Sequence, residues 1–254
     1  MSTEGAEATK ISVETKKSSS DRWWEFYFVR YFVGSVIGGA IVFYLNSKAG
    51  SAFTGAIIPK VHDVSKLDAH LVSMLGAIGL AFCYIASAPV LVLHATRGAF
   101  LTAKTKAFSL SLVSAIVLAI ALSALAYWRL ENLNTQIFLA VDLLSLVLCF
   151  QLVPLYFALR SEGAATHAYY KTLTKARSNP AADAKEYVES YKHLREHGNA
   201  FFIVFFEVAL GFLLWAAPRG NYAILVLFLW IIPAMFVWFV GSILEYRYSH
   251  DYQP

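Results

Sequence analysis

Apolar residues in this chain fall in long unbroken runs divided by short polar stretches, without the two-residue alternation of a half-buried strand. Six runs recur, at residues 24–45, 71–93, 108–128, 137–159, 200–217 and 222–244. At about 1.5 Å of helical rise per residue, such runs match a hydrocarbon core of roughly 30 Å. Only helices and closed barrels satisfy their backbone within lipid, and runs of this length exceed barrel strands. The pattern therefore predicts an all-α fold: a polytopic bundle of six transmembrane spans.

The polar stretches set the expected organisation. Residues 1–22 have no apolar periodicity and are predicted to be a disordered cytoplasmic tail. The first apolar run is too long for a signal h-region and lacks a convincing cleavage pattern, so it reads as a retained span. Residues 23–159 hold spans one to four, and residues 160–199 form a cytoplasmic arm. Residues 200–245 hold spans five and six, and 246–254 form a short cytoplasmic tail. In the arm, the helical pattern runs on past Arg160 toward Arg177, then breaks at Ser178, Asn179 and Pro180. A second helix, 181–197, returns toward the membrane and stops at Gly198, which suits a left-handed cap.

Several residues modify the spans. Gly34 and Gly38 make a GxxxG, which suits close helix packing inside one chain or a dimer face. Ser111, Ala115, Ala119 and Ser123 form a small-residue stripe in span three. Pro89, Pro154 and Pro233 interrupt spans two, four and six, where proline kinks a helix and frees a carbonyl. The last span, with Trp230, Phe236, Trp238 and Phe239, reads as lipid-facing.

Composition removes the soluble alternative: 58% hydrophobic and 15% aromatic residues with only 15% charged is too apolar for a soluble domain of 254 residues. Charge supplies orientation. With both termini on one side, 15 of the 21 Lys and Arg fall there and five on the other, while Arg30 lies within the first span. The positive-inside rule then places both termini in the cytoplasm and suggests a plasma (inner) membrane. The net charge of +4 follows from this asymmetry and calls for no nucleic acid; membrane lipids are the expected partners. Cys83 and Cys149 both fall inside spans and do not form an extracellular disulfide framework.

The candidate chemistry is carried by polar residues in apolar surroundings. Arg30, Asp142, Gln151 and Glu207 lie within spans, and a central carboxylate costs about 2.5 to 3.5 kcal/mol against lipid on insertion scales. They are expected to face the bundle or water, as an ion-binding set or as separately neutralised groups. Arg30 and Glu207 lie at comparable depths and suit a buried salt bridge. His193 and His197 frame an H-x-x-E-H match, in which two imidazoles one helical turn apart hold zinc. The motif is short, and a charged helix face generates it readily. His62, Asp63, Asp68 and His70 offer a second metal reading against that of a solvated loop. Tyr187, Tyr191, Lys192 and Arg195 mark a face of the arm for a cytoplasmic protein partner.

No Walker A, potassium-filter or paired haem-histidine pattern is present, and no cofactor is expected. Three functions fit. The first is a small channel or transporter for cations or protons, working as a homo-oligomer because six spans enclose only a narrow interior. The second is a non-catalytic scaffold whose arm receives a partner. The third is an intramembrane metalloenzyme, disfavoured because acidic residues after H-x-x-E-H are few and mostly tied to spans.

Overall fold

The computed structural model describes residues 23–48, 53–54, 68–102, 106–129, 134–160, 163–178 and 201–250. The described residues form helices without strands: α1 (Trp23–Ser47), α2 (Ala69–Ala86), α3 (Ala88–Thr102), α4 (Lys106–Arg129), α5 (Thr135–Leu159) and α6 (Ala164–Ser178). Two more follow, α7 (Phe201–Ala216) and α8 (Gly220–His250). Three stretches, Ala69–Thr96, Thr135–Leu159 and Gly220–Tyr248, are long and apolar enough to cross a membrane, which points to a membrane protein. Tyr31–Ser47, Leu112–Leu125 and Phe201–Ala216 are shorter apolar helices at three further predicted positions. The predicted tail at 1–22 and the returning helix at 181–197 lie outside the described residues.

α1 packs on α2 through a glycine seam. A Cβ on Gly38 would collide with the backbone of Gly79, and a Cβ on Gly79 with backbone atoms of Ser35 and Gly39. With only hydrogens there the backbones approach closely, and Ser35 Oγ donates to the Gly76 carbonyl at 2.6 Å. The GxxxG is therefore occupied within the chain. The span-three stripe serves a second seam: Ala115 and Ala119 are buried against Cys149 and Val153 of α5.

Proline acts in the second span as expected, with the break located at Ser87. Pro89 has no N–H, and the Val90 amide bonds the Ser87 carbonyl at 2.9 Å instead of reaching Ala86. The Ala86 carbonyl accepts a hydrogen bond from Trp230 Nε1 at 3.2 Å. Trp230 is 0% exposed, so this residue of the last span belongs to the core. Trp238, Phe239 and Phe236 are exposed, as anticipated for a lipid-facing surface.

The start of the arm differs from its sequence reading. α5 stops at Leu159, Arg160 turns to φ −58°, ψ 147°, and Gly163 takes φ 70°, a left-handed conformation that glycine accepts without a Cβ clash. The chain folds back, so that α6 packs on α3 and α8 rather than continuing α5 outward. Thr166 Oγ1 donates to the Ala158 carbonyl at 2.7 Å, and His167 Nδ1 hydrogen-bonds Tyr248 Oη at 2.6 Å. A moderately amphipathic segment fits either a projecting helix or one docked on its neighbours; Gly163 makes the reversal possible.

Candidate functional site

Glu207 sits on α7, six residues after Phe201, or about 9 Å along the helix. It is 0% exposed, and among the described residues neither carboxylate oxygen has a nitrogen or oxygen hydrogen-bond partner; the polar group beside it is the Cys83 thiol. Three helices meet there. The position a Cβ on Gly34 of α1 would occupy lies 3.4 Å from Glu207 Oε1 and overlaps Sγ of Cys83 on α2. Glycine at 34 is thus the condition for a carboxylate and a thiol to reach the same point between α1, α2 and α7. The neighbouring Phe206 ring meets Trp230 edge-on at 5.8 Å, sealing the α8 side with aromatic carbon. Gly211, one turn farther along α7, brings that helix against Ile41 of α1.

Gln151 on α5 is also 0% exposed, and among the described residues its amide oxygen and nitrogen have no hydrogen-bond partner. Such groups are uncommon in folded interiors, since an unmade hydrogen bond costs about 1 to 3 kcal/mol. Asp142, on the same helix, lies elsewhere. It lines an open groove of about 680 Å³ between α4 and α5, and its Oδ1 is buried without a partner. That groove includes neither Gln151 nor Glu207. The three polar residues expected to share one route therefore do not share this cavity.

Arg30 belongs to α1, four residues before Gly34. Its side chain lies outside the described residues, as do His193, His197 and the partner-face residues Tyr187, Tyr191, Lys192 and Arg195. His62 and Asp63 also lie outside them. Asp68 has a structural role as the N-cap of α2, its Oδ1 accepting from the Leu71 amide at 2.8 Å. Among the described residues no group of three or more His, Cys, Asp or Glu is placed to hold a metal ion.

Two features had no local signature. Cys83 is an ordinary apolar-run cysteine until α1 and α2 place it beside Glu207. At the far ends of α1 and α7, Lys48 Nζ stands 3.8 Å from the centre of the Trp215 ring, a cation–π contact between residues distant in sequence. No family model, curated protein or solved structure matches the chain.

Proposed function

We propose that this chain is a six-span protein of the plasma (inner) membrane, with both termini cytoplasmic, that passes a cation or proton by way of Glu207. The observation that carries the reading is the enclosed carboxylate of Glu207, which among the described residues has only the Cys83 thiol as a polar neighbour where α1, α2 and α7 meet. Ionisable groups within membrane helices are costly against lipid, and they mark ion and proton pathways as well as internal pairs. Arg30, a basic residue within the same apolar run as Gly34, is the counter-charge this reading assigns to the pathway. The 15-to-5 distribution of basic residues supports the orientation. A homo-oligomer widens the narrow interior of one bundle.

Liposomes reconstituted with the protein and loaded with a pH- or potential-sensitive dye test this directly. The wild type is expected to dissipate an imposed gradient, and Glu207→Gln to slow it by at least about tenfold, since the substitution keeps the shape and removes the charge. A second reading is favoured by the full enclosure of Gln151 and Glu207. Here the bundle is a sealed platform, and the arm at 160–199 binds a cytoplasmic protein through Tyr187, Tyr191, Lys192 and Arg195. Tight vesicles under every gradient, with cellular function lost on replacing those four side chains, would establish the platform and end the transport reading.

A further inference from the structure

The groove between α4 and α5 has the chemistry of a binding site separate from Glu207. Its volume of about 680 Å³ lies within the range of small-molecule sites, roughly 300 to 1,000 Å³. Its walls are aliphatic, with Ile116 and Ile120 on α4, and its polar groups are few: the Ser123 and Tyr127 hydroxyls and the Asp142 carboxylate. Asp142 is seven residues into α5, about 10 Å along it, and its buried Oδ1 has no partner. Tyr127 and Phe138 meet edge-on with centroids 5.6 Å apart, and both line the cavity.

A carboxylate and two aromatic rings lining one otherwise apolar groove are complementary to one class of ligand. The charge of an ammonium is compensated by Asp142 and by the faces of Tyr127 and Phe138, and a hydrocarbon tail follows the aliphatic walls. An anionic amphiphile would bring like charge to Asp142, and a neutral one would leave the carboxylate charge uncompensated in apolar surroundings. We propose that the α4–α5 groove binds a lipophilic ammonium, an alkyl chain ending in a cationic nitrogen, with Asp142 as its counter-ion. The site stands whether or not Glu207 carries an ion.

The test uses the full chain in phosphatidylcholine nanodiscs and radiolabelled dodecyltrimethylammonium, with uptake by empty nanodiscs subtracted. Saturable binding near one probe per chain is expected, displaced by unlabelled probe and not by dodecanol. Asp142→Asn, close in shape, should weaken binding by at least about tenfold, because it removes a charged partner from an apolar site. Ala124→Phe, which adds a ring to the groove wall and leaves the charge of Asp142 in place, should abolish binding, and Asp142→Glu should retain most of it. Circular dichroism and size exclusion confirm the fold of each variant. Three results would overturn the proposal: non-saturable uptake, equal competition by dodecanol, or binding unchanged in either Asp142→Asn or Ala124→Phe. Cross-linking of Ile120→Cys between two copies in the nanodisc would also overturn it, by showing that a second chain covers the groove.

Discussion

A single hydrogen atom decides how α1 meets α2. At Gly79 a methyl group would enter the backbone of Ser35 and Gly39, whereas at Gly76 the nearest atom to a Cβ is Ser35 Oγ at 3.9 Å, an ordinary contact. Gly79→Ala is therefore expected to destabilise the bundle by about 1 to 3 kcal/mol or more, since backbone cannot move aside as a side-chain tip does. Gly76→Ala, in the same helix, should change stability by less than about 0.5 kcal/mol. Unfolding in mixed micelles measures both, and equal losses would remove the seam as the cause. Both glycines are visible in the sequence, and so is the suitability of Gly34 and Gly38 for close packing. Which glycine is indispensable is not visible, because that depends on the register of the partner helix. Glu207 stands out as a carboxylate in an apolar run. Trp230, read as lipid-facing with its aromatic neighbours, is enclosed because the Ala86 carbonyl and the Phe206 ring lie on its side of α8.

Between elements, the join of α2 and α3 shows how a break in one helix becomes a contact with another. Pro89 cannot donate, Val90 turns to Ser87, and the Ala86 carbonyl receives the indole N–H of Trp230. Trp230→Phe should then cost about 1 to 3 kcal/mol, because it leaves a buried carbonyl with a lost partner in addition to the lost ring area. In a Pro89→Ala background the helix regains its amide and is free to bond internally, so the same Trp230→Phe change should cost less. A double-mutant cycle in the micelle assay reads the difference, with coupling of at least about 0.5 kcal/mol expected. Strict additivity would disconnect the indole from the break. The proline and its kink are legible from local chemistry. The fold-back of α6 is not: its helical pattern fits a continuation of α5 equally well, and docking on α3 and α8 is a property of those distant surfaces.

At the scale of the molecule, the proposed six-span topology makes a labelling prediction. Single cysteines at Ser18 and Ser178 should resist an impermeant thiol reagent in intact cells, while one at Ser51 should react, after Cys83 and Cys149 are replaced. The reverse pattern would invert the orientation, and reaction at both Ser51 and Ser178 would change the number of spans between them. The described contacts fit this alternation. Lys48, just past the end of α1, meets Trp215 near the end of α7, and His167 early in α6 meets Tyr248 near the end of α8. Exposed Ile120, Trp238 and Phe239 give the bundle the apolar outer surface that lipid requires.

Helix type and the apolar character of a membrane protein follow from the sequence by itself, because transfer of an apolar run into lipid is a local sum over consecutive residues. The presence of carboxylates within those runs is likewise plain from residue identity. Their company was decided only by tertiary structure. Asp142 and Glu207 look equivalent along the chain, yet one opens on a lateral groove beside Tyr127 and Phe138, and the other is enclosed with Cys83 and Gly34. That difference comes from which helix faces meet, set by steric fit between backbones at glycine and alanine seams. Within a uniformly apolar span the hydropathy pattern carries little information about which face turns inward, so packing makes the choice.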